Sequence, residues 1–253
     1  AIAQIAAEKC RRSVDPRSIE PGSYEVILEP VAVATLLEWL NIVGFRNKPV
    51  MQNMSFLSGK FGRKITSEHV TWYDDAFEPG TVSLPFDFEG VPRKRVIYVD
   101  KGVARDTVWD RLSAKKQGKK PTGHAYTADQ MGEGAIGLNL CMKGGKAKRA
   151  DLIAGVKKGI LVTRFHYING FIDQPNGVLT GMTRDGTFLI ENGEIVCGIK
   201  NLRFTDAMPR AFGTVAAISK ERELVKSWWS AVGCIKAPAV HLKSFKFSGK
   251  TEF

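Results

Sequence analysis

Apolar positions fall in short runs along most of the chain, and only two stretches are spaced as helices are. Ile2, Ile5, Ala6 and Cys10 recur near one helical turn, which predicts a helix over residues 1–12, stopped by Asp15-Pro16. Pro21-Gly22 reads as a turn and Tyr24–Leu28 as a strand. From Val31 to Phe45 the chain is apolar on nearly every side, with Glu38 its single charge. That length favours a helix, and a helix apolar all round belongs in a core. Gly44 is its expected stop.

Ser55–Gly62 reads as a loop and His69–Tyr73 as a short strand. Residues 93–103 predict a hairpin turning at Asp100-Lys101-Gly102. A second hairpin runs from Thr187 through Asn192-Gly193 to Val196; Asn-Gly tolerates positive φ at both turn positions, which makes this the stronger signal. Both hairpins have an apolar run, an acid, a glycine turn and a return, as an internal duplication would produce. Residues 113–150 carry no periodic element and read as a long functional or mobile loop. Gly159–Phe165 predicts a buried strand, Val215–Trp229 a mixture of helix and turn, and Ala239–Phe247 a final alternating strand. The expected fold class is α+β: a largely antiparallel sheet with a few buried helices.

Composition narrows the function classes. The 253 residues are 43% hydrophobic and 25% charged, which permits a folded core. No apolar run reaches the ~20 residues of a membrane-spanning helix. Cys10, Cys141, Cys197 and Cys234 are too scattered for a disulfide framework, so a reducing cytoplasm is the expected location. The chain starts at Ala1 without a secretion signal, and the expectation is that an N-terminal part precedes it. The net charge is +11. Residues 111–158 hold eleven Lys/Arg and three Asp/Glu, a net of +8. A solvated basic loop, an anionic peptide partner and nucleic acid all fit such a stretch, although it carries one aromatic, Tyr126, where single-strand binders offer several.

Local catalytic motifs are absent. His69, His124, His166 and His241 are far apart, and none begins the two-histidine-and-glutamate pattern of a helical zinc protease. A metal site assembled from distant residues, such as His124, His166 and Cys234, is the alternative to four unrelated histidines. GxSxG and phosphate-loop spacings are missing. Two polar clusters sit beside strand runs: Thr163-Arg164-Phe165-His166-Tyr167, and Thr180-Gly181-Met182-Thr183-Arg184-Asp185-Gly186. Arg164, His166, Thr183 and Asp185 are the candidate substrate-binding residues, gathered along one cavity wall. The other reading is a plain Arg164–Asp185 salt bridge with glycine turns.

These clusters, followed by Thr187–Gly193 and Lys200-Asn201-Leu202-Arg203-Phe204, resemble the C-terminal domain of the TldD/PmbA family. Ile19–Gly22, Val26–Pro30, Ser55–Lys60 and Pro85–Pro92 fit the same pattern, and the resemblance covers nearly all of residues 10–253. It implies a domain over 15–253, with residues 1–14 a helix trailing from a missing N-terminal domain. Family members are described as modulators of DNA gyrase and as intracellular metallopeptidases that process small peptides and antitoxins. They work as dimers, often a catalytic TldD-type subunit with a PmbA-type (TldE) subunit. The catalytic subunit carries HExxxH on the first helix of this domain, plus a distant cysteine ligand. Here the matching helix, Pro30–Phe45, has no histidine, and Cys234 lies too near the C-terminus to inherit the ligand role. The resemblance therefore implies a metal-free, PmbA-like subunit. Its partner would be a TldD-like subunit or a second copy of the same fold, with zinc only in a TldD-like partner. An extended peptide would bind between them, by pairing with a sheet edge. The alternatives are an active peptidase with an unrecognised site and a nucleic-acid-associated modulator acting through residues 111–158.

Overall fold

The computed structural model describes residues 2–82, 84–127 and 134–251. Eleven strands form one mixed sheet. In chain order the elements are α1 (Ile2–Arg12), β1 (Gly22–Leu28), α2 (Pro30–Leu40), α3 (Asn47–Met51), β2 (Trp72–Asp74), β3 (Val96–Asp100), β4 (Val103–Ala104) and α4 (Arg111–Lys116). There follow β5 (Asn139–Met142), α5 (Arg149–Ala154), β6 (Lys158–Asp173), β7 (Val178–Glu191), β8 (Glu194–Gly198), β9 (Leu202–Ala207), α6 (Met208–Gly213), β10 (Val215–Lys226) and β11 (Cys234–Lys250). Most pairs are antiparallel; β1–β6 and β11–β5 are parallel. The α+β expectation is met.

Neighbouring strands run β1-β6-β7-β9-β11, and β11 pairs back onto β1, closing a ring. Inside it Phe165, Phe204, Phe245 and Phe247 are essentially fully buried. Their rings stand 4.7 Å (Phe165–Phe204), 5.3 Å (Phe204–Phe245) and 5.3 Å (Phe245–Phe247) apart. Ile27, Leu161, Phe188 and Ile190 point the other way, into a second cluster with Leu152 of α5. Both faces of β1 and β6 are thus covered, which is why Val26-Ile27-Leu28 and Ile160-Leu161-Val162 read as continuous apolar runs instead of alternating.

The buried helix is present, but its last turn is not α. α2 ends at Leu40 and Asn41–Phe45 continues as a π-helical turn. At Gly44 a Cβ would stand 2.0 Å from the Phe56 ring, so glycine permits this packing and does not act as a C-terminal stop. Both predicted hairpins form. Lys101 and Gly102 have φ 46° and 80°, and Asn192 and Gly193 have 50° and 82°, as tight hairpin turns require.

Two expectations change. Residues 215–226 are a strand, not a mixture of helix and turn. Register shifts on either side of Ala217–Ile218 break the period-two pattern that marks a strand. The stretch 113–150 holds the rest of α4, all of β5 and the start of α5; the part of that expectation at 128–133 lies outside the described residues. No helix is long and apolar enough to cross a membrane among the described residues.

The ring core yields a direct expectation. Phe245→Ala should lower unfolding stability by about 3–5 kcal/mol, the cost of deleting a buried aromatic ring. Urea denaturation checks it, and a loss below about 1 kcal/mol would mean that this core does not carry the fold.

Candidate functional site

Among the described residues β6 pairs with β1 only from Gly159 to Val162, and beyond that it pairs with β7 alone. Its other edge is therefore open from Arg164 onward. Register shifts occur at Val162/Arg164 and His166/Asn169, and Tyr167 adopts φ 54°. Positive φ in a bulky residue is a strained conformation that tends to be kept where a strand must re-aim its side chains. Here it leaves Tyr167 80% exposed.

This open edge forms one wall of a cavity of about 520 Å³. α2 is the floor, through Val31, Ala34, Thr35 and Glu38, and the end of β10 (Val225, Lys226) with Trp228 and Trp229 beyond it is the opposite wall. Trp39 meets Trp229 edge-on at 5.9 Å and Phe171 edge-on at 5.8 Å. Trp228 and Trp229 remain 77% and 60% exposed. A smaller cavity of about 240 Å³ continues on the far side of Trp229, sharing Glu38 and Ile235 and reaching Cys234 and Tyr126.

Glu38 is buried, and its Oε1 accepts from the Ser227 hydroxyl, from Trp228 N–H at 2.8 Å and from Trp229 N–H at 3.3 Å. The carboxylate thus fixes the tryptophan-bearing loop over the cavity. The other acid of this region, Glu29, precedes α2 and is paired with Lys9 and with Arg149 at 2.8 Å. Glu29 thus has both carboxylate oxygens in ion pairs, and Glu38 has Oε1 committed to the loop.

The four residues singled out from sequence separate into two groups. Arg164 and His166 line the large cavity. Arg164 binds Asp185 at 2.6 Å, and Arg184 approaches the same carboxylate at 3.7 Å. Asp185 belongs to a neighbouring cavity of about 460 Å³ beside α1. The salt bridge of the second reading is present, and its arginine lines the cavity. Thr183 is elsewhere. It is buried opposite Phe165, and its hydroxyl accepts from Leu202 N–H at 3.0 Å, so it braces β7 against β9. Burial, with the positive charges of Arg184 and Arg164, holds His166 below its usual pKa, so the imidazole stays neutral at neutral pH.

The assembled metal site does not form. His124 is buried with Nε2 3.0 Å from Asp74 Oδ1 and Nδ1 2.9 Å from Thr122 O, and its partners are distinct from those of His166 on β6. Among the described residues no group of three or more His, Cys, Asp or Glu could hold a metal ion. Asp74 instead centres a buried network: Arg93 binds Oδ1 at 2.7 Å and Asn139 N–H binds Oδ2 at 2.7 Å. Burial pushes this carboxyl's pKa up; Arg93, His124 and the Asn139 amide outweigh it and hold Asp74 below the usual range. Burial also raises the Cys234 and Cys141 thiols, which disfavours either as a thiolate nucleophile.

The basic stretch is partly spent on structure. Lys119 pairs with Asp106 at 2.9 Å and lies 4.7 Å from the Trp109 ring, and Arg149 binds Glu29 and Glu223. Sequence reasoning missed the role of Glu38. A lone acid in an otherwise apolar helix was the available signal.

Residues 21–249 match the family model described as the PmbA/TldA metallopeptidase C-terminal domain. A metalloprotease of Methanocaldococcus jannaschii is 26% identical over 227 residues, covering 88% of this chain and 49% of that protein. A metalloprotease TldD homolog of Buchnera aphidicola is 33% identical over 189 residues, covering 71% and 37%. The crystal structure of TldE from Thermococcus kodakarensis superposes with a TM-score of 0.87 at 24% identity, covering 98% of this chain and 55% of that one. The chain thus spans about half, or less, of the length of these relatives.

Two expectations follow. Glu38→Ala leaves three donors without their acceptor and should free the loop, at a cost of about 1–3 kcal/mol; faster proteolysis between residues 226 and 234 with a red-shifted tryptophan emission reports it, and unchanged cleavage would show the loop to be held otherwise. Asp74→Asn leaves Arg93 a buried, poorly paired cation and should cost about 3–5 kcal/mol at pH 7. Because the folded pKa is depressed, Asp74 stabilises above its ordinary value of 3.8 and loses that contribution as pH falls through the folded value. The wild-type advantage in denaturation should therefore be constant well above pH 3.8 and begin to narrow only as pH falls below it, toward the folded value.

Proposed function

Because the chain belongs to the TldD/PmbA metallopeptidase family, we propose that it acts as the PmbA/TldE-like member of a pair, a non-catalytic subunit that supplies a peptide-binding groove to a zinc-bearing TldD-like partner. The observation that carries this is the floor of the groove. Zinc needs three or four N, O or S donors around one point. α2 presents no imidazole and one acid, Glu38, whose Oε1 is held by the tryptophan loop; Glu29, just before the helix, is paired with Lys9 and Arg149. The residues present do not fit a zinc ion, yet the open groove above them persists.

In this reading the chain's own groups bind and orient. The open edge of β6 offers backbone pairing to an extended peptide, and alternate peptide side chains would fall toward Trp39 and Trp229. Arg164 faces the same space. The cleavage chemistry would reside in the partner.

The test combines elemental analysis with light scattering. The chain alone should carry no stoichiometric zinc and cleave no unfolded peptide. Mixed with a TldD-like subunit it should give the mass of the pair, with hydrolysis that disappears when the partner's zinc is chelated. One zinc per chain in the isolated protein, or a monomeric mass unchanged by the partner, would overturn the reading.

A further inference from the structure

The charges around the groove are unequal. Among its lining residues Arg164 and Lys226 are cationic, while the single acid, Glu38, has Oε1 committed to the hydroxyl and amides of its own loop. Arg164 spends one N–H on Asp185, and its Nε–H is buried with no hydrogen-bond partner. The side chain is 30% exposed, and its remaining Nη–H groups are the donors a bound anion can reach. Asp185, 52% exposed, is shared between Arg164 and Arg184, so one acid faces two arginines. The rest of the lining is apolar or aromatic: Val31, Ala34, Trp39, Tyr167 and the tryptophan pair.

A groove with an open strand edge, an aromatic wall and surplus cations is complementary to one kind of occupant. We propose that it takes the C-terminal end of an extended peptide, with the terminal carboxylate on Arg164 and an apolar side chain against Trp39 and Trp229. This rests on the peptide-groove reading above and adds what that reading lacks, the end of the peptide and the residue that selects it. A guanidinium can meet a carboxylate through two parallel N–H bonds, which suits Arg164 to a terminal carboxylate better than to a neutral amide. Lys226 supplies long-range attraction from the opposite wall. Asp185 is a positioning residue: it holds the Arg164 side chain without touching the peptide.

The experiment titrates the chain with an octapeptide of alanine and glycine ending in Leu-Phe, and with its C-terminally amidated twin, following tryptophan emission. Amidation replaces the charged carboxylate by a neutral amide of nearly the same size. The free-acid peptide should bind roughly tenfold tighter than the amide, as the loss of one charge-assisted pair implies. Arg164→Gln should abolish that difference, and Arg164→Lys should restore it in part. Should Arg164→Gln fold poorly, Lys226→Gln serves in its place, with a smaller drop for the acid that added salt reproduces in wild type. Equal binding of acid and amide by wild type overturns the carboxylate assignment and leaves the peptide groove standing. Binding of neither peptide, with or without the TldD-like partner, overturns both.

Discussion

β11 must serve four neighbours at once. Over 17 residues its first third pairs with β10 and β5, its middle with β10 and β1, and its end with β9. A straight strand cannot do this, since a strand has only two edges. The register shifts at Ile218/Arg222 on β10, at Tyr24/Val26 on β1 and at Phe247/Gly249 on β11 itself allow partners to change along its length. The ring of β1, β6, β7, β9 and β11 closes only because that strand bends past each partner in turn, and Phe245 and Phe247 fill the space it encloses. The groove is a by-product of the same constraint. Once β11 has taken the edge of β1, β6 outruns its own partner β1 and is left with an open edge beside α2.

What the sequence made legible tracks how local the causes are. The Asn192-Gly193 turn, the all-apolar helix from Val31 and the strands at 24–28 and 239–247 are each written within a few residues, and each appears. β5 is only Asn139–Met142, buried on both faces, and four residues without alternation carry no period. β10 was obscured by Ser219-Lys220-Glu221-Arg222-Glu223, a polar run that bulged register makes compatible with a strand. Arg164 and His166 could be named as groove residues because they flank an apolar strand. Thr183, from an equally polar cluster, could not be told from them, since its direction is set by pairing opposite Phe165.

The groove's width depends on two opposed forces meeting at Trp229. The edge contact with Trp39 draws the indole down toward α2 and would narrow the space beneath it. The Glu38 carboxylate resists, because its Oε1 must stay within reach of the Ser227 hydroxyl and two consecutive amides. Ser227 N–H also closes the loop on Gly233 O at 3.1 Å. Burying a carboxylate is costly unless its oxygens are met by donors, and here the donors come from the loop alone. An amide side chain at 38 could accept the same bonds but without charge, and each would be about half as strong. Aspartate, one methylene shorter, would pull the loop inward and close the groove. The acid at this position is thus explained by the loop it holds open, with no reaction assigned to it in this chain.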